Sequence, residues 1–134
     1  MNVIIIDYGS GNLTSVAKAF QMASSEAGLS VTVSSNPDHI AKADRIVLPG
    51  VGAFFDCMAG LRAVSGLIEA LTETVLNRGR PFLGICVGMQ LMATKGLEHK
   101  KTDGLNWVPG VVEALVPIES DDMIGGRTRI PHMG

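Results

Sequence analysis

The residue with the clearest potential for chemistry is Cys86, which stands in the sequence Gly84-Ile85-Cys86-Val87-Gly88. A nucleophile with glycine two residues away on each side is typical of a nucleophile elbow, a strained strand-to-helix turn that lifts the side chain above a sheet. Free N–H groups at the start of the following helix favour the thiolate. The alternative is a small buried cysteine at a strand end, with glycines that serve packing alone.

A second glycine-rich turn, Pro49-Gly50-Val51-Gly52, follows the apolar run Ile46-Val47-Leu48. Glycine-rich backbone can direct N–H groups at a developing oxyanion, and the N–H of Val87, next after the nucleophile, would be a further donor. Alone, the motif is equally well an ordinary tight turn. Two such turns after two apolar strands predict that both lie side by side on one rim of the sheet, with Cys86 in an unusual backbone conformation at the end of a central strand.

Other candidate sites receive less support. Gly9-Ser10-Gly11 is not a dinucleotide fingerprint, because Thr14 stands where its third glycine belongs and no acidic residue follows the second strand. Cys57 lies in a helical pattern without flanking glycines and is interpreted as a packed core thiol. Three histidines are scattered without an H-x-x-x-H pair, so no metal site is predicted: His39, His99 and His132.

Periodicity predicts the elements that must position these residues. Short apolar runs indicate four buried parallel strands, Val3–Ile6, Val31–Val33, Ile46–Leu48 and Phe82–Cys86. Helical spacing extends over Leu13–Ala27 and over Phe54–Leu76, with a break near Ser65-Gly66, and a further helix is predicted from Gly88 to Thr94. Short strands are expected after Gly96. The predicted fold is α/β, an open, mostly parallel sheet with helices on both faces and a site at the carboxyl ends of the strands.

Composition limits the function classes. The 134 residues suit one domain, and 46% hydrophobic residues are enough for a core. A net charge of −2 without a basic run gives no support to nucleic-acid or anionic membrane binding. No apolar stretch approaches the roughly 20 residues of a membrane span, and Asp7 interrupts the opening apolar run, which is unlike a signal peptide. We therefore expect a cytoplasmic protein with two free thiols.

Three segments resemble the class I, triad-type glutamine amidotransferases, and most closely the glutaminase subunits of imidazole glycerol phosphate synthase. They are Ile6–Val16, Leu48–Phe54 and Phe82–Gln90, and Gly104–Gly110 and Ile130–Gly134 also fit. The resemblance covers the chain from end to end. It implies that residues 1–134 are the N-terminal part of a single flavodoxin-like amidotransferase domain, incomplete at its C-terminal end.

The resemblance also implies roles. Cys86 would be the acylated nucleophile, Gly52 and Gln90 would hold glutamine, and Gly50 and Val51 would supply or gate an oxyanion hole with Val87. Such a subunit hydrolyses glutamine to glutamate and ammonia without a cofactor. It passes the ammonia through an internal passage to a (β/α)₈-barrel cyclase, its partner in a heterodimer of histidine biosynthesis with hydrolase and lyase activities.

One departure from the family is large. Its triad is completed by His and Glu in an H-x-E arrangement, and none of the three histidines here has Glu two residues on. We therefore expect a truncated chain without turnover of its own. Two alternatives remain open: a non-catalytic module that docks on the barrel through Tyr8–Asn12 and Pro131–Met133, or another Cys-elbow protein. The latter class includes DJ-1-like proteins and the glutaminase subunit of pyridoxal phosphate synthase, and the Asp7-Tyr8-Gly9 opening argues against both.

Overall fold

The computed structural model describes residues 1–116, so the predictions for residues 117–134, including His132 and Ile130–Gly134, lie outside the described part. Four strands form a parallel sheet in the order β2-β1-β3-β4. Their bounds are Asn2–Ile6 for β1, Ser30–Ser34 for β2, Arg45–Gly50 for β3 and Phe82–Cys86 for β4. The predicted parallel sheet is confirmed.

Helices cover both faces of this sheet, as predicted. Along β1, Val3 and Ile5 point to one face, where helix α1 (Leu13–Ser24) packs on them. Ile4 and Ile6 point to the other face, which is covered by four helices. These are α2 (Pro37–Ala41), α3 (Phe54–Ala63), α4 (Leu67–Thr72) and α5 (Val87–Gln90). Among residues 1–116 no helix has both the length and the apolar character needed to cross a membrane.

The end of one strand differs from the sequence-based expectation. Strand β3 does not stop before Pro49 but continues through it, because Pro49 and Gly50 pair with Ile85 and Cys86 of β4. The predicted helical break is confirmed: α3 ends at Ala63, and Gly66, with a φ of 77°, precedes α4. A π-helical turn, Glu73–Asn77, then leads towards β4.

The helix predicted for Gly88–Thr94 is wrong beyond its first turn. Helix α5 ends at Gln90, and Thr94 lies in strand β5 (Ala93–Gly96). Strand β5 pairs with β6 (Thr102–Asp103) and β7 (Val108–Val112) in a small second sheet of order β6-β5-β7. Non-local pairing of this kind overrides a local helical pattern, especially over a short segment.

Two glycines allow helix α5 to lie directly on the ends of β3 and β4. A Cβ added to Gly84 would stand 2.6 Å from Cα of Met89, which is inside the contact distance of two carbon atoms. A Cβ added to Gly88 would overlap the carbonyl oxygen of Leu48 and lie 3.1 Å from the carbonyl carbon of Pro49. Backbone therefore meets backbone here, and no larger side chain fits at either position.

This packing predicts the effect of Gly88→Ala. Forcing a methyl group against immobile backbone should lower the free energy of unfolding by at least about 3 kcal/mol, the upper end of ordinary overpacking costs. Gly28→Ala is the matched control, because Gly28 has a φ of 66° but nothing within 4 Å of an added Cβ. Left-handed strain alone should cost about 1 kcal/mol there. Urea unfolding of both variants measures the difference, and equal losses would contradict the close-contact account.

Candidate active site

Cys86 has the backbone conformation expected of an elbow nucleophile. It is the last residue of β4 and precedes α5, with φ 56° and ψ −120°, and its side chain is exposed. A non-glycine residue at positive φ is sparsely populated and costs on the order of 1–3 kcal/mol, so surrounding structure must hold it. The alternative of an ordinary buried cysteine is wrong. Among the described strands, however, β4 stands at the edge of the sheet, not at its centre as predicted.

The second glycine-rich turn lies directly beside Cys86. Gly50 is the residue opposite Cys86 in the β3–β4 pairing. A Cβ on Gly50 would approach the backbone nitrogen of Gly88 to 2.7 Å and the carbonyl carbon of Val87 to 3.2 Å. The prediction that the two turns share one rim is therefore confirmed, although their residues are about 35 positions apart in the chain.

The backbone N–H and C=O of Val51, which belong to two successive peptide groups, are both hydrogen bonded. Its N–H donates to the Ser10 hydroxyl oxygen at 3.0 Å, and its carbonyl accepts from the same hydroxyl at 3.0 Å. The thiol of Cys57 also donates to this carbonyl, at 3.3 Å. In this arrangement the Val51 N–H is bound to Ser10, so it is not available to a ligand of the rim.

Tyr8 lies beneath the same turn. Its hydroxyl donates to the carbonyl oxygen of Pro49 at 2.5 Å, and its side chain is buried. Burial, together with the nearby Cys57 thiol, raises the pKa of Tyr8 well above its usual value. A tyrosine is protonated at neutral pH even at its usual pKa, so the phenol is a donor here. Gly60 leaves space for the Tyr8 ring, since a Cβ at this position would lie 3.1 Å from the ring.

Sequence reasoning missed the roles of Tyr8, Ser10 and Cys57. Cys57 is a packed thiol, 1% exposed, as predicted, but it also contacts the Ser10 hydroxyl at 3.2 Å. Helical position alone does not reveal a contact with a loop 47 residues away. The only signal was the concentration of polar and glycine residues directly after the first strand, where parallel sheets place their sites.

Gln90, one turn beyond Cys86, carries an unsatisfied acceptor. Its side-chain oxygen is buried, and among residues 1–116 it has no hydrogen-bond partner. Gln90 lines an open groove of about 250 Å³ that also includes Met89, Met92 and Val108–Val112. Buried acceptors are normally paired, since an unpaired one costs about 1–3 kcal/mol. A ligand with an N–H group would satisfy this atom.

Glu98 is a further polar residue near the rim that the sequence did not single out. Its carboxylate accepts from the N–H of Phe54 at 3.1 Å, at the start of α3 and two residues after Gly52. A carboxylate is favourable at a helix N-terminus, where N–H groups lack partners. This hydrogen bond connects the loop after β5, which contains Glu98, to the start of α3 at Phe54.

The two described histidines have partners away from Cys86. The ring of His39 shares a 2.8 Å hydrogen bond with the Ser34 hydroxyl. The ring of His99 packs edge-on against Phe55, with centroids 6.0 Å apart. Across residues 1–116, no three His, Cys, Asp or Glu side chains come together as a potential metal site. The described part of the rim thus contains a nucleophile but no histidine in contact with it.

Comparison with known proteins places the chain in a class. Residues 4–132 match the family described as "Glutamine amidotransferase class-I". The chain therefore belongs to the class I glutamine amidotransferases, as its resemblance implied.

Three relatives with high sequence identity identify a more specific group, because each is named "Imidazole glycerol phosphate synthase subunit HisH". The proteins of that name from Rhodopseudomonas palustris, Bradyrhizobium diazoefficiens and Brucella suis are 54%, 55% and 53% identical to this chain over 136 residues. Each alignment covers 100% of this chain and 60% of the relative. The chain thus spans about three fifths of the length of these relatives.

The exposure of the two thiols predicts selective alkylation. In the native protein iodoacetamide should modify Cys86 at least about tenfold faster than Cys57, because Cys57 is 1% exposed and hydrogen bonded. Peptide mapping of time points measures both rates. Cys86→Ser should remove the fast phase, and unfolding in urea should make the two thiols comparable. Equal native rates would contradict the described placement of the thiols.

Proposed function

We propose that this chain supplies the nucleophile part of the glutaminase of an imidazole glycerol phosphate synthase, an enzyme that hydrolyses glutamine to glutamate and ammonia. The observation that carries the proposal is Cys86 at an exposed, positive-φ strand end directly opposite Gly50. Membership of the class I family and identities above 50% to proteins named HisH support the same activity. Their names do not favour a DJ-1-like protein or a pyridoxal phosphate synthase subunit.

The proposed chemistry begins at Cys86. Its thiolate attacks the side-chain amide carbon of glutamine, and negative charge develops on the amide oxygen. The N–H of Val87, which follows the nucleophile, stabilises this oxyanion together with the N–H of Gly50, or with that of Val51 once it has left Ser10. The amide nitrogen takes up a proton and leaves as ammonia, which produces a glutamyl thioester on Cys86. Water then cleaves the thioester, so that one glutamine and one water yield glutamate and ammonia.

Substrate binding is assigned to Gly52 and Gln90. The unpaired Gln90 oxygen accepts from an N–H group of glutamine, which relieves the cost of its burial. Gly52 has a φ of 87° and no atom within 4 Å of an added Cβ, so backbone is open to a ligand at that point. In the chain, Gly52 follows Gly50 by two residues and Gln90 follows Cys86 by four.

Proton transfer requires groups that the 134 residues do not supply in the family's H-x-E arrangement. Protonation of the leaving nitrogen and activation of water normally need a histidine held by a carboxylate. We assign these groups to residues equivalent to the part of the relatives that the chain does not span. On this basis the 134-residue chain can form an acyl adduct but cannot turn over.

The proposal extends to a partner. The relatives are named as subunits of a synthase, which supports a second subunit. We assign that role to a (β/α)₈-barrel cyclase, which forms a heterodimer with this protein and uses the ammonia in the lyase step of histidine biosynthesis. The site of action would be the cytoplasm, where thiols such as Cys86 stay reduced.

A glutamine-derived chloroketone tests the proposal. It should alkylate Cys86, and excess glutamine should slow the reaction, because both compounds compete for the site that contains Gln90. Intact mass and peptide mapping identify the adduct. Cys86→Ser is the loss-of-nucleophile control, and iodoacetamide, which lacks the amino-acid portion, is the reagent control. A Cys86 that reacts with iodoacetamide but ignores the chloroketone, or is not protected by glutamine, would refute glutamine recognition.

A further inference from the structure

Strand β2 forms the edge of the parallel sheet that lies farthest from β4 and Cys86. Among residues 1–116 it pairs with β1 alone, in unbroken register over Ser30–Ser34. An edge strand presents a row of unpaired backbone N–H and C=O groups, which is a template for pairing with another chain. This edge is a surface that the proposed function does not use.

The outward backbone groups of β2 belong to Val31 and Val33. The Ser30 N–H donates to the Met1 carbonyl at 3.1 Å, and the Ser34 carbonyl accepts from the residue after β1 at 3.0 Å. Alternate residues of a strand direct their N–H and C=O groups to opposite sides. Since Ser30 and Ser34 bond to the β1 side, Val31 and Val33 direct theirs to the open side.

The usual obstacles to pairing between sheet edges are missing from β2. Natural edge strands are commonly protected by charged side chains, proline or a bulge. The segment 29–36 contains no charged residue and no proline, and the pairing of β2 with β1 contains no bulge. Thr32 is exposed, and Val33 is 39% exposed. The described part of the chain therefore leaves this edge accessible.

The sequence of β2 reads the same in both directions, Ser30-Val31-Thr32-Val33-Ser34. If two copies meet antiparallel about Thr32, each residue lies opposite a residue of its own type. The backbone fits this register. Val31 lies opposite Val33 of the second copy, and both have outward groups, so each such pair can exchange both of its N–H···O bonds. Thr32 then lies opposite its own equivalent in a pair without hydrogen bonds.

We propose that β2 is a homodimerisation edge, on which a second copy of this chain pairs antiparallel about Thr32 and joins the two sheets into one. Such an interface uses the same surface on both copies, so it closes at two. Pairing of β2 with β4 of another copy would instead continue from copy to copy. A five-residue edge is small for a stable interface, so the dimer is weak and depends on concentration. This inference is independent of the proposed function.

Single cysteines in a Cys86→Ser background test the register. Thr32→Cys should give a disulfide-linked dimer at least about tenfold faster than Val33→Cys, since Cα atoms of a directly opposite, non-hydrogen-bonded pair lie about 4.5 Å apart. Val33 is the matched control because it is also exposed but lies diagonal to its own equivalent, beyond the roughly 7 Å that a disulfide spans. Cys57 is buried in both variants. Equal rates, or faster linkage through Val33→Cys, would overturn the proposal.

Charge substitutions test the same pair without oxidation. Thr32→Lys and Thr32→Glu each place like charges opposite one another, so each should weaken self-association by at least about tenfold, and an equimolar mixture should restore it. Thr14→Lys and Thr14→Glu, at an exposed position of α1, are the matched controls and should associate like the parent. Sedimentation equilibrium over a concentration series measures each case. A parent that is monomeric throughout, or a mixture that does not regain association, would overturn the proposal.

Discussion

The described structure depends on one close contact, the approach of the start of α5 to the backbone of β3. Gly88 lies against the Leu48 and Pro49 carbonyl groups, and Gly84 leaves room for the backbone of Met89. This contact turns the chain sharply after β4 and holds Cys86 at positive φ, a conformation that an unsupported residue would leave. It also places Gly50 opposite Cys86, so that nucleophile and glycine-rich turn share one rim. The strain at Cys86 and its proposed reactivity thus have a common origin.

The contact explains why much of this fold was predictable. Gly84 and Gly88 signal a strand-to-helix turn because no other residue fits there, and β-branched runs signal buried parallel strands. The resemblance to the class I family rested on the segment around these glycines together with Ile6–Val16 and Leu48–Phe54. Sequence patterns were less informative where strand pairing determines the secondary structure. Thr94, for example, joins a second sheet instead of extending α5. The register that carries β3 through Pro49 is likewise set by β4 and not by local propensity.

The individual polar contacts beneath the rim were not predictable from the sequence. Tyr8, Ser10 and Cys57 reach Pro49 and Val51 across more than 40 residues or from a helix interior, and each residue alone has an ordinary local interpretation. These contacts involve the end of β3 at Pro49 and the residue directly after the strand, Val51. The Tyr8 hydroxyl donates to the Pro49 carbonyl, and the Ser10 hydroxyl contacts both the N–H and the C=O of Val51.

The central claim is that residues 1–134 contain a competent nucleophile, and a fusion protein tests it most directly. This chain would be joined to the C-terminal part of the Rhodopseudomonas palustris HisH that lies beyond the matched 60%, and ammonia release from glutamine would be measured with that organism's partner subunit. The account predicts glutaminase activity in the fusion, none in the 134-residue chain alone, and loss of activity in the fusion with Cys86→Ser. The claim would be contradicted if the folded fusion were inactive while R. palustris HisH, assayed in parallel, was active. It would also be contradicted if the fusion stayed active without Cys86.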